Sequence, residues 1–276
     1  MQPLKSFLIA FAAFSFFSCN NSSSSETNAK EKAPAKLIES TANYSADSTT
    51  MNGYVVYSDS IEGKRPAILV VHEWWGQNDY TRERAKQLAQ LGYIAMAVDM
   101  YGNGKTAENP EQAMKLAGPF YNNLQLAKTR LDAALQKLKT YPQTDTSKIA
   151  AIGYCYGGFI VLNAARLGEP LKAVVSFHGN LGGAKPDKNL LKADVLVCQG
   201  DADSLAPPSE AVKFKKQMDS VGAPYTFRSY PNAMHAFTNP AATEMGKKFG
   251  LAIGYNEDAD KNSWKDMKEF LERIFK

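Results

Sequence analysis

The sequence predicts an α/β protein built on a mostly parallel, doubly wound sheet with helices on both faces. Strand and helix signals alternate from about Met51 to the C-terminus. Several of the strand segments are apolar at every position, as strands covered on two sides must be. A chain of 276 residues, 44% hydrophobic and 22% charged, matches an ordinary globular composition with room for one large core. No second linker and no internal repeat breaks the alternation, so one domain is expected over 49–276.

The N-terminal stretch reads as an address. Lys5 precedes an apolar run from Phe7 to Phe17 that is too short to cross a bilayer, which describes a secretory signal peptide over 1–18. The ending Phe16-Phe17-Ser18-Cys19 resembles a bacterial lipobox, although Phe17 is bulkier than that pattern prefers. The resemblance implies lipidation of Cys19 and an exported, lipid-anchored protein of the bacterial cell envelope, on the periplasmic side or at the outer membrane. Ordinary cleavage nearby, with Cys19 incidental, is the alternative. The stretch that follows, Asn20-Asn21-Ser22-Ser23-Ser24-Ser25 and then mixed charges, has almost nothing to bury. A flexible tether is therefore expected over 19–48.

In the body, Gly53–Tyr57 reads as a strand closed by a turn at Glu62-Gly63-Lys64. Ala67–Val71 is a fully apolar strand. Asp79–Leu91 is a helix with Ala85, Leu88, Ala89 and Leu91 on its inner side, stopped by Gly92. Tyr93–Val98 is a buried strand, followed by helices near Pro110–Ala117 and Leu124–Leu138. Strand Ile149–Gly153, helix Phe159–Leu167, and strands Ala173–Phe177 and Val195–Val197 come next. A helix near Ser209–Val221, a strand Tyr225–Tyr230 and a terminal helix near Ser263–Phe275 complete the pattern.

Composition narrows the function. Lys and Arg number 32 and Asp and Glu 28, a net charge of +4 that is too small and too evenly spread for a nucleic-acid partner. Three cysteines and three histidines show neither C-x-x-C nor H-x-x-x-H spacing, so no metal site is expected. No organic cofactor is expected either.

The most informative segment is Gly153-Tyr154-Cys155-Tyr156-Gly157-Gly158, where a buried strand turns directly into a helix. This is the nucleophile-elbow pattern with Cys in place of Ser. The glycines suit a tight turn, and the helix start behind Cys155 offers free N–H groups and a positive field that stabilise a thiolate. A small residue at a tightly packed strand–helix junction is the simpler reading of the same letters. Further along, Gln199-Gly200-Asp201-Ala202-Asp203 follows one strand, and Pro231-Asn232-Ala233-Met234-His235 follows the last. Nucleophile, acid and base thus occur in the chain order of an α/β-hydrolase, in loops where open α/β sheets collect functional residues.

With these marks the chain resembles the dienelactone hydrolase family of α/β-hydrolases over roughly Met51 to Lys276. The resemblance rests on His72-Glu73-Trp74-Trp75-Gly76, the Cys155 elbow, Gly200-x-x-Asp203-x-x-x-Pro207 and Met234-His235-Ala236-Phe237. It implies an α/β-hydrolase fold, Cys155 as nucleophile, His235 as base and Asp203 as the orienting acid, with Asp201 as the competing acid. It also implies that Glu73 interacts with the resting cysteine; a surface acid beside a turn is the alternative. The backbone N–H groups of Trp74 and Tyr156 would form the oxyanion hole. Trp74, Trp75, Tyr101, Tyr156 and Phe237 are expected at the substrate pocket, although aromatic residues after strands also pack as core. His72 and His178 do not follow the acid in chain order and read as satisfied loop or core histidines, and Cys198 as a small buried hydrophobe.

The family's arginines that grip a substrate carboxylate have no counterpart in Asp99–Lys105 or His235–Asn239. Lys105 adds one positive charge without the planar two-donor fork of Arg. Dienelactone itself is therefore not the expected substrate. The expectation is a monomeric hydrolase of small carboxylic esters or lactones. A catalytically silent binding domain of this fold at the cell envelope and an acyl-transferase or thioesterase are the alternatives.

Overall fold

The computed structural model describes residues 36–276. The expected signal peptide, Cys19 and the first part of the tether lie outside the described residues. Among the described residues, eight strands form one sheet in the order β1-β2-β4-β3-β5-β6-β7-β8. They are β1 (Leu37–Ala46), β2 (Thr49–Ser58), β3 (Arg65–Val71), β4 (Ile94–Val98), β5 (Thr144–Tyr154), β6 (Ala173–Phe177), β7 (Asp194–Gly200) and β8 (Tyr225–Tyr230). Strands β3 to β8 run parallel, whereas β1 pairs antiparallel with β2, and β2 with β4.

The period of two along each strand sorts the core into halves. Ala67, Leu69 and Val71 of β3 face one side, with α2 (Pro110–Asn122), α3 (Leu124–Lys139), α4 (Tyr156–Arg166) and α5 (Pro208–Ser220) packed over it. Ile68 and Val70 face the other, under α1 (Asp79–Gln90) and α7 (Glu257–Phe275). The remaining helix, α6 (Ala242–Phe249), follows the His235 loop.

Four sequence expectations need correction. Leu91 is not on the inner side of α1: the helix ends at Gln90, and Leu91 at its cap is 44% exposed. The tether does not extend to 48, because Leu37–Ala46 pairs along its whole length with β2. This edge strand is half polar and only Ala42 and Ala46 are fully buried, so its apolar signal is weak. The helix α2 continues through Pro119 to Asn122, capped at its start by the Asn109 side chain and closed at its end by the Asn123 amide donating to the Pro119 carbonyl, despite the helix hydrogen bond that an interior proline removes. Finally, α7 begins at Glu257, where the Asn256 side chain accepts from the Ala259 N–H and three acidic residues meet the helix start.

Candidate active site

The parallel strands end on one side of the sheet, and the loops there converge. The turn from β5 into α4 holds Cys155 at φ 53, a conformation costly for a non-glycine residue. Its closeness explains the glycines. A Cβ on Gly153 would lie 2.1 Å from the Gly157 carbonyl oxygen, and one on Gly157 would lie 2.3 Å from the Val71 carbonyl oxygen. Cys155 is half-buried, at the floor of a cavity of about 340 Å³.

His235 reaches the same floor from the loop after β8. Its Nδ1 stands 2.9 Å from Asp203 Oδ2, to which it donates. Asp203 is buried and fully engaged: Oδ2 also accepts from Gln199 Nε2 at 2.7 Å, and Oδ1 from the Leu205 and Ala206 amides at 2.9 and 3.1 Å. Asp201 is exposed and instead accepts from the Asn232 amide at 2.6 Å, fixing the turn after β8. Burial alone would lower the proton affinity of His235, but the negative charge and hydrogen bond of Cys155, with those of Asp203, push its pKa up to about 10.

Glu73 shares the floor and is buried. Desolvation raises its pKa to about 7, against the lowering effect of Asn239, whose Nδ2 donates to Glu73 Oε2 at 2.6 Å. Trp74 and Trp75 line the cavity. The amide N–H groups of Trp74 and Tyr156 donate to no carbonyl or side chain among the described residues. The Tyr156 side chain points away, fully buried and stacked on His72 at 5.6 Å.

Tyr156 is thus not a pocket side chain, and three other expected pocket residues also lie elsewhere. Tyr101 is buried behind the wall, its hydroxyl donating to the Trp74 carbonyl at 2.9 Å and its ring edge-on to His72 at 4.7 Å. Lys105 sits exposed in the turn after β4, a turn pinned by Asp99, whose carboxylate accepts from the Tyr101, Gly102, Gly104 and Asn52 amides. Phe237 is fully buried against His178 and Tyr230, because Ala236 at φ 59 turns the chain inward after His235. Ala236 lines the cavity in its place.

The remaining wall comes from residues without a sequence signal: Met114 and Tyr121 of α2, Asn180 after β6, Leu205 after β7, and Leu251 and Ile253 after α6. Of the two histidines read as satisfied, His72 is buried and bonded to the Glu73 carbonyl and the Met100 amide. His178 is also buried, but it touches the nucleophile turn itself. Cys198 is enclosed in β7, where burial pushes its thiol up to about 12 and leaves it unreactive.

Sheet order and elbow define an α/β-hydrolase. The model of the dienelactone hydrolase family matches residues 51–275, and the chain belongs to that family. A solved structure named as a dienelactone hydrolase-like promiscuous phosphotriesterase from metagenomic libraries superposes with a TM-score of 0.82 at 30% identity, over 87% of this chain and 99% of that one. A dienelactone hydrolase structure from Klebsiella pneumoniae superposes at 0.73 with 22% identity, over 86% of this chain and 98% of that one. A Methylorubrum extorquens protein named as a carboxymethylenebutenolidase is 33% identical over 63% of this chain and 64% of its own length. The chain is accordingly a hydrolase of the dienelactone hydrolase type, acting on a small-molecule substrate.

Proposed function

We propose that the protein hydrolyses neutral carboxylic esters or lactones through a covalent acyl-enzyme on Cys155. The observation that carries this reading is the strained Cys155 turn beside a His235 ring held by Asp203 at 2.9 Å, on the floor of an apolar cavity. Cys155, as thiolate beside an imidazolium, attacks the carbonyl carbon. The C–S bond forms and the carbonyl electrons move to oxygen, which the Trp74 and Tyr156 amides hold. Collapse breaks the C–O bond, and the leaving alkoxide takes the His235 Nε2 proton. Water then attacks the thioester while His235 takes its proton, and the second collapse releases the acid and the Cys155 thiolate. Asp203 keeps the ring in the required tautomer.

The test is a panel of aryl esters, lactones, thioesters and a phosphotriester, with and without a thiol alkylator. Stoichiometric alkylation of Cys155 should abolish hydrolysis, and Cys155→Ala should match the blank. Hydrolysis that survives both would overturn the reading, and ester products formed in the presence of an added alcohol would favour acyl transfer.

The lipobox-like Phe16–Cys19 segment supports membrane attachment through Cys19 as the second part of the proposal. Wild type should partition with the membrane fraction and Cys19→Ala with the soluble fraction. Identical fractionation of the two proteins would exclude the anchor.

A further inference from the structure

We propose that His178 is a positioning residue that ties the Cys155 turn to the loop carrying His235. The inference rests on Cys155 being the nucleophile.

His178 follows β6 directly, at φ 42, and is wholly buried. The Cys155 N–H is shared between the Phe177 carbonyl at 2.9 Å and His178 Nδ1 at 3.1 Å. An amide nitrogen can only donate, so Nδ1 carries the lone pair and the ring's single proton is on Nε2. That nitrogen stands 2.7 Å from Thr238 Oγ1, three residues beyond His235. The His178 ring also stands edge-on to the His235 ring at 5.3 Å. One imidazole thus joins the nucleophile's backbone to the base's loop.

The far side of this link is itself fixed. Thr238 Oγ1 meets the Tyr80 hydroxyl at 2.7 Å, and its carbonyl accepts from Arg84 Nη2, which pairs with Asp260 of α7, both at 2.6 Å. Burial, with the nearby His235 and Arg84 charges, keeps His178 neutral, the only form in which Nδ1 can accept. Filling the space would need only a ring of this size. Accepting from Cys155 while donating to Thr238 requires an imidazole in one tautomer, and that requirement points to alignment of sulfur and base.

The test uses the full chain with p-nitrophenyl butyrate as probe. His178→Phe keeps the volume and loses both bonds, and kcat should fall at least tenfold with KM within threefold, a loss of the size expected from misplacement of about 1 Å. His178→Asn, whose Oδ1 can still accept near the Nδ1 position but which has no atom at the Nε2 position to meet Thr238, should stay as slow as Thr238→Val. Thr238→Val should lower kcat while Thr238→Ser restores it. The double variant His178→Phe/Thr238→Val should be no slower than His178→Phe alone, because the two residues act through one link. A folded His178→Phe with kcat within twofold of wild type, or losses that multiply in the double variant, would overturn the proposal. Should His178→Phe fail to fold, an unchanged kcat in Thr238→Val overturns it instead. Cys155→Ala separates the two readings. If it stays active, the nucleophile assignment fails; if it is dead while the His178 and Thr238 variants are normal, only the positioning role fails.

Discussion

Four donors converge on the Asp203 carboxylate, and one of them is His235 Nδ1. Replacement by Asn would put an amide donor where the ring needs an acceptor and favour the wrong tautomer. Asp203→Asn should therefore lower kcat by as much as about 10⁴, the scale of the same change in other triads. Asp201→Asn should stay within a fewfold of wild type, and a larger loss there would reverse the assignment. Glu73 gives a second prediction. Its pKa is raised by burial from 4.5 to about 7, so the favourable protonated state is fully present below about 4.5 and is lost as pH rises through about 7. Glu73→Gln should consequently raise Tm relative to wild type more at pH 8 than at pH 5, by a free-energy difference on the order of 3 kcal/mol. An equal shift at both pH values would mean that the carboxyl is not desolvated. Cys155, Asp203 and His235 were legible because the chemistry fixes their types and chain order. His178, Asn239 and Arg84 were not, since each meets the site only through sheet register and loop folding that no local pattern encodes.

At the scale of elements, the site depends on how closely α4 starts against β3. The Gly157 position has the Val71 carbonyl oxygen 2.3 Å and the His72 carbonyl oxygen 2.7 Å from where a Cβ would stand. Both are backbone atoms of the segment that leads to Glu73 and Trp74, so neither can yield without moving the proposed oxyanion donors. Gly157→Ala should destabilise by about 1–3 kcal/mol or more, as overpacking does, and should lower kcat in the protein that remains folded. Thermal unfolding and kcat of the soluble variant check this, and a wild-type value of both would show that the helix can shift freely. The parallel strands and the helices over them were readable because doubly covered strands and amphipathic helices carry strong apolar periodicity. The edge strand β1 and the short exposed α6 carry little of it. Their pairing is set by backbone hydrogen bonds and by neighbours distant in sequence.

Over the whole molecule the net charge is +4, yet among the described residues no Lys or Arg side chain lines the cavity. Arg84 comes nearest in effect, lowering the Glu73 pKa, but its guanidinium is engaged by Asp260 and the Thr238 carbonyl. Asn239, in the stretch where the resemblance called for an arginine, is turned onto Glu73. The walls include Trp74, Trp75, Met114, Leu205, Leu251 and Ile253, so a substrate carboxylate would lose water and meet no Lys or Arg, while the His235 charge is already matched by Cys155 and Asp203. Neutral esters should be hydrolysed at least as well as carboxylate-bearing ones with the same leaving group, p-nitrophenyl butyrate against p-nitrophenyl hemisuccinate for example. The margin should widen between pH 6 and pH 8, because Glu73 passes through its pKa of about 7 and adds a negative charge to the floor. Added salt should narrow that margin at pH 8 by screening the repulsion, and less so the more deeply the ester is enclosed. A preference of more than tenfold for the anionic ester, roughly 1.4 kcal/mol, would require a cation that reaches the cavity only when substrate binds, and would sink the assignment of a neutral substrate class.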